Sequence, residues 1–107
     1  MSHSGFDPGL LDEADPFEID ADNAPHLAKH GPFDVDHLYD AWAFGSPAFF
    51  PAQPGGAAAW LMVAEVPGDL IVVPLARARS GEPKKCRPIG LYRPNAALLA
   101  QYRGTRP

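Results

Sequence analysis

The sequence predicts an α+β domain with two N-terminal helices, an antiparallel β-meander and one C-terminal helix. Three observations carry this prediction. Val35, Leu38, Tyr39 and Trp42 recur at i, i+3, i+4 and i+7, which is one apolar stripe on a helix. Three strand segments follow, over 58–66, 70–79 and 84–92, joined only by short turn-forming segments. Strands joined that tightly pair as antiparallel neighbours, and helices segregated to the two ends make the class α+β.

The elements follow in order. Residues 1–14 carry Gly5, Pro8, Gly9 and acidic side chains, which reads as a flexible acidic tail ahead of a single domain over 15–107. Residues 15–19 read as a short edge strand, with Pro16 tolerated near its start. Asp20 or Asp22 caps a first helix with Pro25 in its first turn, and His30-Gly31-Pro32 ends it. Asp34 precedes the second helix, which stops near Gly45-Ser-Pro47. Pro51, Pro54, Gly55 and Gly56 make 48–57 a loop.

The run from Ala58 to Val66 is apolar on both faces, as in a central strand covered on both sides. Pro67-Gly68-Asp69 turns the chain. Pro74 cannot donate to a ladder, so the strand over 70–79 has an edge or a bulge there. The strand over 84–92 comes next. Pro94 opens the last helix, with Ala97, Leu98 and Tyr102 inward.

Charge is divided end to end. Residues 1–69 hold twelve of the 13 acids and one base, about −11; residues 70–107 hold eight bases and one acid, about +7, which gives the net −4. The basic segment from Arg77 to Arg87 therefore needs an intramolecular acidic partner or an anionic ligand. Asp7, Asp12, Glu13, Asp15, Glu18, Asp20 and Asp22 are the acids that can fold over it. No apolar run reaches a membrane span and no signal-peptide pattern is visible. The single Cys86 excludes an internal disulfide and fits a reducing cytoplasm.

Phe17-Glu18-Ile19-Asp20, then Leu27-Ala28-Lys29-His30-Gly31, a meander, Arg87-Pro88-Ile89, a last helix and Tyr102 together resemble the BrnT family. These are RelE-like ribonuclease toxins of type II toxin–antitoxin pairs. The resemblance spans about residues 17–102. The family's Asn before Lys-His-Gly falls on His26 here, its Ser-Ala-Arg on Gly90-Leu91-Tyr92, and its last-helix Glu on Leu98. The resemblance implies a RelE-like fold and a metal-independent, cofactor-free ribonuclease held inactive by a cognate antitoxin. The antitoxin would carry the DNA-binding module, so this chain would meet RNA but not DNA or a membrane.

Such a reaction aligns a 2′-hydroxyl with a phosphate, removes its proton and stabilises the added negative charge. The catalytic candidates are His30, Arg77, Arg87 and Tyr102; Lys29, Arg79, Lys85, Tyr92 and Arg93 are candidates for binding RNA or a partner. His26 and His30 share the i, i+4 spacing of a metal pair, with Asp22 one turn earlier, but a His at a helix end more often serves as a cap or dipole partner, so no metal is expected. The alternative is a non-catalytic interaction module that keeps the fold and binds an acidic protein. Helix-two residues Trp42 and, from the central strand, Trp60 are expected in one core.

Overall fold

The computed structural model describes residues 5–29 and 33–105. Its core is a four-stranded antiparallel sheet in the order β1-β2-β3-β4, formed by Ala48–Pro51, Trp60–Val66, Asp69–Arg77 and Cys86–Pro88. Helices α1 (Ala24–Lys29) and α2 (Val35–Phe44) precede it and α3 (Ala96–Gly104) follows, which makes an α+β domain. Alternation along the strands gives the sheet two covered faces. Met62, Ala64, Val66, Ile71, Val73 and Leu75 belong to the main core, with Leu27 of α1 and Leu38 and Ala41 of α2. On the other face Val63 and Val72 pack with Leu61, Leu70 and Phe50 under Leu98 and Tyr102 of α3.

The start of α2 follows its sequence signal. Asp34 is the N-cap, accepting from the backbone N–H of His37, while His37 Nδ1 accepts from the Asp34 backbone N–H. Leu38 is fully buried; Val35, Tyr39 and Trp42 are half-buried against the same core. The helix ends at Gly45, which lies against β2. A Cβ there would sit 2.2 Å from the Glu65 carbonyl oxygen, so only glycine allows this approach.

Four boundaries differ from expectation. Segment 48–57 is not all loop: Phe49 and Phe50 pair with Met62 and Leu61 as edge strand β1, and Pro51 closes its end. β3 stops at Arg77 because the chain turns through Gly81, at φ 78, with Gly81 N–H on the Ala78 carbonyl. β4 is only three residues long, yet the chain rejoins β3 at an isolated bridge from Val72 to Tyr92. Between Leu75↔Pro88 and Val72↔Tyr92 the register slips by one residue, so a bulge lies over residues 89–91, opposite Pro74. Pro74 is therefore accommodated in an inner strand by the bulge option. In α3, Ala97 is exposed while Leu98 and Leu99 are half-buried, and Asn95 rather than Pro94 caps the helix.

Residues 15–19 do lie at the sheet edge, but as a single parallel bridge from Phe17 to Cys86 beside β4. Residues 5–14, expected as a tail, lie against the domain. Leu11 is buried, Phe6 packs on the core, and Pro8–Leu10 form a 3-10 turn capped by Asp7. Asp12 N–H bonds the Lys84 carbonyl at 2.9 Å, and the Trp42 and Trp60 indoles donate to the carbonyls of Glu13 and Phe6. The apolar side chains Phe6 and Leu11 supply the burial that acids and prolines concealed.

Candidate functional site

The site is where the acidic and basic halves of the chain meet. Two backbone bonds tie residues 16–18 to β4: Cys86 N–H to the Pro16 carbonyl and Glu18 N–H to the Cys86 carbonyl, both 2.8 Å. This places an acidic strap, Asp15 to Asp22, along the basic hairpin. Lys85 meets Asp15 at 3.5 Å and Arg79 pairs with Asp22. Arg87 takes the centre, with Nη1 3.2 Å from Glu18 and 2.7 Å from Asp20, and Nη2 2.9 Å from the other Asp20 oxygen.

Glu18 is used three ways, since it also accepts the backbone N–H groups of Arg79 and Ser80 at 2.8 and 3.2 Å. It thus staples the turn of the hairpin to the strap. Asn23, which is buried, supports the same corner. Its Oδ1 accepts from Asp20 N–H at 2.8 Å, and its Nδ2 donates to the carbonyls of Glu18 and Pro88, both at 3.0 Å. All the polar demand of a buried amide is met there.

These contacts set the protonation of the strap. The Arg87 guanidinium holds the Asp20 carboxyl far below the usual carboxylate range, aided by the N–H groups of Asp22 and Asn23. Burial pushes Glu18 up, but donation from Arg79, Ser80 and Arg87 outweighs it and the net direction is down. The Tyr39 hydroxyl, bonded to Asp15 at 2.8 Å, lowers Asp15, and Lys85 adds to this. Burial and the Asp15 contact in turn push the Tyr39 phenol up to about 12. Burial raises the Cys86 thiol to about 12, so it is an inert core group.

The residues expected from sequence are distributed as follows. His30 lies outside the described residues, and Lys29 is the last residue of α1. Arg77 is exposed and sits opposite Cys86, one register step from Arg87, so strand alternation sends the two side chains to opposite faces. Tyr102, on α3, is buried in the second cluster with Val63 and Val72 and bonds Glu65 at a long 3.4 Å, whereas Arg87 bonds the strap. Arg93 bonds Asp69 at 2.9 Å and lies 5.7 Å from the Phe33 ring centroid. Tyr92 is 44% exposed. Arg77, Arg87 and Tyr102 are therefore not gathered around one point.

What does converge is a hollow of about 270 Å³ lined by Asp22, Asn23, His26, Arg79, Arg87 and Ile89. The sequence points to His30; its neighbour one turn earlier, His26, is the described histidine beside the arginines. Asn23 is not marked by periodicity or charge, although its place three residues after a capping Asp is a visible signal. Among the described residues no cluster of three metal-ligating side chains forms, and no helix is long and apolar enough to cross a membrane. Comparison with protein families, curated proteins and solved structures gives no match to this chain.

Proposed function

We propose that this chain is a non-catalytic interaction module that keeps a RelE-like, BrnT-like fold and meets an acidic protein through its basic hairpin. One observation carries the reading: Arg87, the central base of the hairpin, is 5% exposed and already paired with both Asp20 and Glu18. A guanidinium already neutralised by two carboxylates has little charge left to offer a phosphate. Arg77 and Lys84, exposed and without an ion pair among the described residues, remain for a partner, together with Arg79 and Lys85, whose solvent-facing pairs exchange readily. Polyglutamate serves as the probe. The chain should bind it with an affinity that falls as salt rises, and Arg77→Ala with Lys84→Ala should abolish binding. Undiminished binding by that variant overturns the reading.

A second reading, the ribonuclease toxin kept inactive by an antitoxin in the cytoplasm, is favoured by the hollow that sets His26 beside Arg79. It requires growth arrest and RNA cleavage when the chain is expressed alone, both lost in a folded His26→Ala variant. A harmless chain that cuts no RNA leaves the interaction module.

A further inference from the structure

We propose that the C-terminal end of α2 is a second docking surface, built for an arginine-bearing apolar segment of a partner protein. This inference does not depend on the hairpin reading. Phe44, the last residue of α2, is 85% exposed, far more than any other large apolar side chain among the described residues. It borders a groove of about 490 Å³ whose other walls are Val66, Pro67 and Gly68, with Asp40 and Glu65 on the rim. A ring left in water beside an apolar floor marks a contact anchor when the patch is rimmed by polar groups.

Charge selects the occupant. α2 presents Asp36, Asp40 and Phe44 at i, i+4 and i+8, so two like charges stand in line with the ring. The helix C-terminus adds partial negative charge at the same end. Glu65, which shares its carboxylate with Tyr102, lies across the groove. Among the described residues, Arg93 and Arg103 line an adjoining groove on the other side of Gly68, and Arg93 is bound to Asp69. A guanidinium stacked on Phe44 and bonded to Asp40 satisfies both features at once, with an apolar neighbour resting on Val66 and Pro67.

The surface is held in place. The Gly45 carbonyl accepts from Glu65 N–H at 2.9 Å, and Gly45 admits no side chain, so the end of α2 is clamped to β2. Gly68, at φ 77, has open space where a Cβ would project. A segment can therefore lie across the turn without displacing protein atoms.

The test is a titration of the isotope-labelled full chain with the peptide acetyl-Leu-Arg-Leu-Arg-amide, followed by amide resonances. Shifts should concentrate on Phe44, Glu65, Val66 and Gly68, and acetyl-Leu-Glu-Leu-Glu-amide should give none. Phe44→Ser should weaken binding about tenfold and Asp40→Asn about threefold, each with an unchanged melting temperature. Should Phe44→Ser fail to fold, Asp40→Asn alone decides. Equal response to both peptides, shifts centred on the hairpin, or affinity untouched by Asp40→Asn overturns the proposal.

Discussion

Arg87 and Asp20 form a two-point ion pair, Nη1 to Oδ2 at 2.7 Å and Nη2 to Oδ1 at 2.9 Å, across 67 residues of sequence. Parallel bonds of this kind fix orientation as well as charge. The pair also fixes topology, because it locks the strap ahead of α1 to the last strand of the sheet. Arg87→Ala strips the strap of its buried counter-charge and should cost about 2–3 kcal/mol, below the range for a fully buried pair because Asp20 faces water. Arg87→Lys keeps the charge but loses the fork, and should fall between. Arg77→Ala should change stability by less than about 0.5 kcal/mol. Urea denaturation of the three variants checks this ranking, and equal effects at 77 and 87 would contradict it.

Acid should loosen the same joint. Asp15, Glu18 and Asp20 all ionise more readily folded than unfolded. On acidification the unfolded chain therefore takes up protons first, and the equilibrium moves toward it. Their contribution is complete above the ordinary values, 3.8 for Asp and 4.5 for Glu, and is lost as pH falls below them through the depressed folded values. The melting temperature should be level above about pH 5.5 and decline below about pH 4.5. Asp20→Asn should start lower and decline less steeply. A wild-type melting temperature that rises on acidification would show that the strap pairs add nothing.

The N-terminal segment should behave as part of the domain. Leu11 is 7% exposed within the main core, so Leu11→Ala should cost about 2–3 kcal/mol. Trp42 is half-buried, edge-on to Phe17 at 5.9 Å and to Phe49 at 6.4 Å, and its indole bonds the Glu13 carbonyl. Trp42→Phe keeps the ring contacts and should cost about 1 kcal/mol, while Trp42→Ala should cost about 2–4 kcal/mol. Deleting residues 1–14 should lower the melting temperature by more than Leu11→Ala does. An unchanged melting temperature on deletion would restore the segment to the status of a tail.

Gly45→Ala tests the clamp between α2 and β2. The added methyl would meet the Glu65 carbonyl at 2.2 Å, the Ala41 carbonyl at 2.7 Å and Glu65 N at 2.9 Å, all backbone atoms. Backbone cannot rotate aside, so the helix end must lift. The expected cost is about 2–3 kcal/mol, measured by thermal or urea unfolding. A neutral effect would mean that α2 can shift freely at its end.

Periodicity and capping made much of this fold readable. The stripe on α2, its Asp34 cap and the two strands β2 and β3 follow from local chemistry, and Pro74 signals an edge or a bulge, of which the pairing takes the bulge. The Phe49-Phe50 strand was hidden among prolines, since pairing with Leu61 and Met62 is a long-range fact. Charge division was legible as a need for neutralisation, but not its register. Which acid meets which base depends on the Phe17 bridge to Cys86, and nothing local encodes that. Arg77 and Arg87 read as neighbours because two strands and a turn bring them close; the one-residue offset that separates their faces exists only in the pairing.

Asn23 ties the strap to β4 at the same corner. Its side chain bonds two segments, the strap through the Asp20 N–H and the Glu18 carbonyl and β4 through the Pro88 carbonyl, all within 3.0 Å. Asn23→Ala removes these bonds and leaves the Glu18 and Pro88 carbonyls without this donor in a corner that is 3% exposed at residue 23. The expected loss is about 2–3 kcal/mol, more than a hydrogen bond to solvent-facing groups would cost. Asn23→Asp is the sharper variant. A carboxylate has no N–H for the two carbonyls and brings a negative charge beside Asp20 and Glu18, so it should destabilise more than alanine at neutral pH. Lowering the pH protonates that carboxyl and restores a donor, so the gap between the two variants should narrow in acid. Unfolding curves of both variants at pH 7 and at about pH 4.5 distinguish this from simple loss of packing, for which the alanine variant would remain the worse of the two throughout.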